Sequence, residues 1–225
     1  MRLILTLKFG LAMTSSYVLH YSPATASMIV HVLLLELDVP HDLHLVDISK
    51  NQHREPDYLR LNPNGLIPTL VVDGKPMIEA AAIAMFLAER HGGGRLAPAV
   101  DDPRRQTYLQ WFLHLANPMQ PAYRLWFHPD DVTDVDGEQV KQKSRARIEK
   151  SWDFVEQHLE ASNGPFMLGH ELSALDIFAT VLMRWSRNMP KPATTWPRLA
   201  ALAERVTALP SWKKMNEIER LSDWF

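Results

Sequence analysis

The sequence predicts an α+β chain of two units, a mixed α/β unit followed by an all-helical one. Three observations carry this reading. Between residues 17 and 91, short β-prone runs alternate with apolar helical runs in the order β-α-β-α-β-β-α. Asp73-Gly74 sits between two short apolar runs and is a strong two-residue hairpin signal. Beyond Pro103 apolar residues recur at helical spacing to the end of the chain.

Residues 1–16 read as an unpacked leader. Arg2 and an apolar run faintly suggest a signal peptide, but Lys8 interrupts the run and no small-x-small cleavage site follows. Met13 is an alternative start. Val18 to Tyr21 is short and β-prone. After Pro23-Ala24-Thr25-Ala26-Ser27 an apolar helix runs from about Met28 to Leu37, and Asp38-Val39-Pro40 stops it. His41 to Ile48 alternates apolar and polar residues, as a half-buried strand does. The first β-α-β unit therefore makes a right-handed crossover. Pro56 to Leu61 suits a short helix, and Asn62-Pro63-Asn64-Gly65 a turn. Thr69 to Val72 and Met77-Ile78 are the two hairpin strands, and Glu79 opens a helix over Ala80 to His91. Gly92-Gly93-Gly94 ends that helix; following a helix rather than a strand, it is not read as a phosphate loop. The first unit spans about 17–96.

Leu96-Ala97-Pro98 and Asp101-Asp102-Pro103 form the linker, and proline behind two aspartates marks a helix start. The second unit spans 103–225. Tyr108, Trp111, Phe112 and Leu115 share one helical face, and Pro118 and Pro121 are expected to kink or break that helix. After the polar stretch His128 to Gly137, Val140, Ile148, Trp152, Val155 and Leu159 mark a long helix. Ser173-Ala174-Leu175-Asp176 is a capping box opening another. Loss of either capping side chain is expected to cost about 1 kcal/mol or more. Trp196 to Leu209 and Ser211 to Leu221 complete the helical set.

Composition excludes several classes. The 225 residues include 46% hydrophobic ones and carry a formal net charge of −2, so no basic surplus points to nucleic acid. Cysteine is absent, which rules out disulfides, thiolate metal sites and a cysteine nucleophile. No apolar run is long enough to span a bilayer, and there is neither a His-Glu-x-x-His nor a Walker pattern.

Pro68 is the unusual residue. It lacks an N–H and stands at a strand start, and Ile67-Pro68 is a candidate cis peptide. A cis bond would turn the Ile67 N–H and C=O outward, free to pair with an extended peptide as an added strand.

The run Asn62-Pro63-Asn64-Gly65-Leu66-Ile67-Pro68-Thr69-Leu70, the hairpin and Glu79 closely resemble the thioredoxin-like domain of glutathione transferases. There the pattern is Asn-Pro-x-Gly-x-(Val/Ile)-Pro-x-Leu, a hairpin, then Glu opening a helix. The resemblance covers nearly all the chain beyond the first sixteen residues. It implies that the Ile67 backbone pairs with the cysteinyl part of glutathione beside cis-Pro68. It also implies that Glu79 meets the γ-glutamyl end. Ala80 departs from the family's usual Ser or Thr, leaving its backbone N–H for a carboxylate. His53 and Arg54 are candidates for the glycine carboxylate. Ser173 and Asp176 match the family's folding capping box and lie outside the active site.

The segment Tyr21-Ser22-Pro23-Ala24-Thr25-Ala26-Ser27, with His31, is similar to the bacterial beta-class segment Tyr-Ser-Pro-Gly-Ala-Cys-Ser. Ala26 stands where that class has its catalytic cysteine. Two hydroxyls flank it, and Ser27 is preferred to Thr25 as the group holding the thiolate. Ordinary N-capping is the competing explanation for both, and Ser22 and Tyr21 are outside candidates. Tyr108, Trp111, Tyr123, Trp126 and Phe127 are expected to line an apolar pocket, although aromatic residues at helical spacing more often form core.

The resemblance implies glutathione conjugation to a hydrophobic electrophile, with glutathione as co-substrate and no metal, by a cytoplasmic homodimer. No nucleic-acid or membrane partner is implied. Two other readings stand beside it. One is a glutathione-dependent isomerase or dehalogenase; the other is a non-catalytic binding or regulatory protein on this fold.

Overall fold

The computed structural model describes residues 16–132, 134 and 136–224. All of the expected leader except Ser16 lies outside these residues. Ser16 is tied to the sheet hairpin. Its N–H donates to Asp73 Oδ1 at 2.8 Å, and its carbonyl accepts from the Asp73 N–H at 3.0 Å.

β1 (Tyr17–Tyr21), β2 (Asp42–Leu45), β3 (Thr69–Val72) and β4 (Lys75–Met77) form one sheet in the order β2-β1-β3-β4. β1 pairs parallel with β2, Val18 opposite Asp42, across the crossover made by α1 (Ser27–Glu36). β3 runs antiparallel between β1 and β4. β2 is shorter than the alternation over His41 to Ile48 suggests. The Asp47 side chain accepts from the Ser49 N–H at 3.0 Å and draws the chain into a 3-10 turn over Ile48–Lys50. Pro76 lies inside β4, which the sheet tolerates because β4 is an edge strand. A second 3-10 turn (Gln52–Arg54) and α2 (Pro56–Leu59) precede the 62–68 loop.

α3 (Ala80–His91) follows the hairpin and packs on α1. In the helical unit come α4 (Arg105–His114), α5 (Gln120–Phe127), α6 (Gly137–Ala161), α7 (Ala174–Trp185), α8 (Pro197–Thr207) and α9 (Pro210–Glu219). Neither proline breaks the α4–α5 rod. Pro118 sits in a π-turn over Leu115–Met119, where the Gln120 N–H reaches back five residues to the Leu115 carbonyl. Widening the turn accommodates a residue without an N–H. Pro121 is the second residue of α5, directly after the widened turn.

α1 explains how the two units share one core. Its residues Ser27 to Leu34 are all buried. A helix apolar all round must be covered all round. β1 and α3 cover it from the sheet unit, and α7 and α9 from the helical unit.

Candidate active site

Three segments converge at one end of the sheet. β1 ends at Tyr21, and its residue His20 pairs with Thr69, the first residue of β3. The turn into α1 therefore leaves the sheet beside Ile67-Pro68, which precedes Thr69. Leu70 pairs with Met77 near the end of β4, so the chain toward Glu79 and α3 returns to the same end.

The turn into α1 is built on the Ser22 carbonyl. It accepts from Thr25 Oγ1 at 2.7 Å and from Ser27 Oγ at 2.9 Å. The two hydroxyls are 2.9 Å apart, the Ser22 N–H donates to Ser27 Oγ at 3.3 Å, and the Ser27 N–H donates to Thr25 Oγ1 at 3.3 Å. The residues are not equivalent. Ser27 is wholly buried, and its single proton is directed at the Ser22 carbonyl. The preference for Ser27 over Thr25 as the group holding the thiolate gains no support from this geometry, because the Ser27 hydroxyl is buried inside the cap. Thr25 is half-buried. Rotating its proton outward leaves Ser27 fully satisfied. Ala26 is the N-cap residue and brings no side-chain cap. The Thr25 and Ala26 N–H groups have no acceptor among the described residues. Tyr21 is half-buried too. Burial, and then the charge of Glu219, push its phenol above the ordinary range, so it stays protonated.

The Ile67-Pro68 peptide is cis. The loop is pinned on both sides of it. Tyr58 Oη donates to the Leu66 carbonyl at 2.6 Å and lies 2.9 Å from Thr69 Oγ1, while Asn62 Nδ2 donates to the same carbonyl at 2.8 Å. The Ile67 N–H and C=O make no hydrogen bond among the described residues. Glu79 has φ 71° and ψ 104°, a conformation that costs a non-glycine residue about 1–3 kcal/mol. Its exposed carboxylate makes no cap bond, and Ala80-Ala81-Ala82 offer no side-chain acceptor either. The N-terminus of α3 thus presents bare amides and positive dipole, with Ala80 buried as its first residue.

His53 and Arg54 lie in the turn before α2. His53 Nδ1 is buried without a partner among the described residues, and its imidazole is held below the ordinary range by burial and then by the charges of Arg54 and Arg124. Arg54 is exposed, with one long hydrogen bond of 3.4 Å to the Asn64 carbonyl. Gly65 has to be glycine. Its φ is 59°, and a Cβ would come within 2.9 Å of Arg54 Nη1 and of the His53 carbonyl oxygen.

The expected aromatic pocket is largely core. Tyr108 is fully buried with its ring centroid 4.8 Å from Phe112. Trp111 is buried against Phe154 and His158, with ring centroids 4.8 and 4.4 Å away. Tyr123 is fully buried, and its hydroxyl accepts from Trp152 Nε1 at 2.9 Å. Helical spacing put these three on the inward face of their helices. Trp126 is half-buried, and Phe127 is 49% exposed. Arg124, the one cation in the segment Gln120–Phe127, is exposed and pairs with Asp131 at 2.6 Å. A cleft of about 350 Å³ between β1, β2 and α2 is lined by His20, His44 and Tyr58, and none of the candidate residues lines it.

A glutathione S-transferase N-terminal domain model matches residues 25–90, and a glutathione S-transferase C-terminal domain model matches residues 117–217. The chain is 25% identical over 194 residues to glutathione S-transferase GstA of Escherichia coli O157:H7, covering 85% of this chain and 93% of that one. Among solved structures, a ternary complex of BphK, a bacterial GST, is 28% identical with a TM-score of 0.81, covering 91% of this chain and 100% of that one. A glutathione transferase homologue from Sulfitobacter, solved with bound glutathione, gives a TM-score of 0.83 at 23% identity, covering 90% of this chain and 98% of that one. This last likeness speaks for the fold.

Proposed function

The chain belongs to the glutathione S-transferase family, and on that premise we propose that it conjugates the sulfur of glutathione to an electrophilic carbon. The observation that carries this is the convergence of three ligand-ready features at one end of the sheet. They are the α1 turn with Thr25, the unpaired Ile67 backbone beside Pro68, and the bare α3 N-terminus at Glu79.

The residues fit the tripeptide. The Ile67 N–H and C=O suit its cysteinyl backbone as an added strand would. The α3 amides take the γ-glutamyl carboxylate, and Glu79 accepts from its α-ammonium group. His53 and Arg54 stand nearest the loop before Ile67 and suit the glycyl carboxylate. The sulfur then lies toward the α1 turn. The Thr25 hydroxyl, the unpaired Thr25 and Ala26 amides and the helix dipole all favour thiolate over thiol. The thiol gives up its proton, the sulfur lone pair forms the C–S bond, and the leaving group departs with the electrons of the bond it breaks. Because the nucleophile belongs to glutathione, a chain without cysteine suffices. Trp126 and Phe127 offer apolar surface to the electrophile, whereas Tyr108, Trp111 and Tyr123 act through packing. A homodimer and a cytoplasmic location belong to the same proposal. No described helix is long and apolar enough to cross a membrane.

The test is thioether formation from glutathione and an activated aryl halide. Thr25→Ala is expected to lower kcat about 10- to 100-fold, below the 10²–10³ loss typical of a removed anion-stabilising donor because backbone amides remain. Thr25→Ser should retain most activity. Full activity in Thr25→Ala would remove Thr25 from the mechanism. Wild-type protein that binds glutathione but transfers it to no electrophile would make it a binding protein.

A further inference from the structure

We propose that His20 and His44, in the cleft between β1, β2 and α2, form a two-imidazole site for a transition-metal cation of the Zn²⁺, Ni²⁺ or Cu²⁺ class. The inference is independent of the glutathione reading, which needs no metal.

The sheet makes the pair. His20 on β1 stands opposite His44 on β2 in the parallel register. Residues opposite one another on neighbouring strands share a face of the sheet. Leu19, next along β1, points to the other face and is fully buried in the core. The two imidazoles stand with ring centroids 4.7 Å apart, and the Tyr58 ring of α2 lies 6.0 Å from that of His20. All three line the cleft of about 350 Å³.

Three observations point to a cation there. First, neither imidazole makes a hydrogen bond or ion pair with a described residue, and His20 Nδ1 is buried. A buried polar atom left in this way is uncommon and calls for a partner. Second, the spacing fits. Two imidazoles bound to one ion through nitrogens about 2.0–2.1 Å from it hold their ring centroids about 4.5–5.2 Å apart. His44 is exposed, so it can turn a ring nitrogen toward the ion without moving β2. Third, the cleft lining includes Glu55 and Asp57 but no lysine or arginine. Asp57 is tied to Arg60 at 2.6 Å, whereas Glu55 has no ion pair among the described residues. The other close pair, His31 and His41, has ring centroids 5.8 Å apart and lacks this freedom. His31 Nδ1 is bound to Glu219, and His41 Nδ1 to the Val39 carbonyl.

No three His, Asp or Glu among the described residues are grouped to hold an ion. The two imidazoles are therefore the protein's ligands, and water fills the remaining positions. Such an open site exchanges its ion, unlike a structural zinc site closed by four ligands. Imidazole selects Zn²⁺, Ni²⁺ and Cu²⁺, whereas Mg²⁺ prefers oxygen.

The experiment titrates the full chain calorimetrically with Ni²⁺ and with Mg²⁺. Wild type should bind one Ni²⁺ per chain and no Mg²⁺. His44→Ala and His20→Gln should each weaken Ni²⁺ by about 10-fold or more, since losing a ligand costs at least as much as losing its supporting partner. His128→Ala and His170→Ala, at exposed single histidines, should leave binding unchanged. Pulsed electron paramagnetic resonance of bound Cu²⁺ should show two coupled imidazoles in wild type and one in His44→Ala. That variant alters an exposed side chain, so the test stands even if His20→Gln fails to fold. Wild type that binds no Ni²⁺ would reduce the pair to cross-strand packing. Binding unchanged in His44→Ala would place the ion elsewhere, and Mg²⁺ bound as well as Ni²⁺ would mean charge attraction alone. A single coupled imidazole in wild type would mean that the histidines do not act together. Each of these results overturns the inference.

Discussion

Asp176→Ala is expected to lower the free energy of unfolding by about 3 kcal/mol or more, well beyond the loss of an ordinary helix cap. Asp176 is fully buried at the start of α7. One carboxylate oxygen accepts from the Met167 N–H at 2.8 Å, and the other accepts from the Ser173 N–H at 2.8 Å and the Ser173 hydroxyl at 2.7 Å. Removing the side chain strands three buried donors, each costing about 1–3 kcal/mol. Part of this is returned because the buried charge is removed with them. Ser173→Ala strands none of those donors except by deleting its own, and should cost about 1 kcal/mol. Urea unfolding of the two variants decides the point, and equal losses would contradict it. The pH dependence carries a sign as well. Burial pushes the Asp176 carboxyl up to about 6 despite the three donors that lower it. The folded chain thus takes up a proton there that the unfolded chain does not. Wild type should accordingly gain stability relative to Asp176→Ala as pH falls from about 7 to about 5, opposite to the trend of an ion-paired surface carboxylate.

The second large effect is at the seam between the units. His31 on α1 and Glu219 at the end of α9 are both completely buried, with Nδ1 to Oε1 at 2.8 Å. His31 Nε2 and Glu219 Oε2 have no partner among the described residues. Breaking such a pair from one side leaves a polar group alone in the core, so His31→Leu and Glu219→Leu should each cost roughly 3–5 kcal/mol. Replacing both with leucine should cost much less than the sum, because neither group is then stranded. A denaturant double-mutant cycle tests this. Additive losses would show that the two side chains are not coupled. His31 lies one turn along α1 from the Thr25–Ser27 cap, so α9 packs on the same helix that carries that cap.

What the sequence made legible was local. Asp73-Gly74, Pro68 at a strand start and Ser173-x-x-Asp176 each announce their structure within a few residues, and each is found where those residues stand. What it left open depends on tertiary context. Ser27 and Thr25 are both good cap residues, and only the fold of the turn decides that the Ser27 hydroxyl is sealed in. Tyr108, Trp111 and Tyr123 have the spacing of either a pocket or a core, and the packing of α6 and α7 makes them core. Pro118 signals a disturbed helix without saying that a widened turn absorbs it. His31 and Glu219 are 188 residues apart. No periodicity joins residues so far apart in the chain.

The central claim is that the α1 turn holds glutathione as its thiolate through Thr25. The most direct measurement is the ultraviolet absorbance of the bound thiolate, titrated against pH in wild type, Thr25→Ala and Ser27→Ala. The account predicts a bound thiol pKa well below the free value of about 8.5. It also predicts that Thr25→Ala raises this pKa, and that Ser27→Ala affects it less than it affects stability. Glutathione bound with an unshifted thiol pKa in wild type would contradict the account.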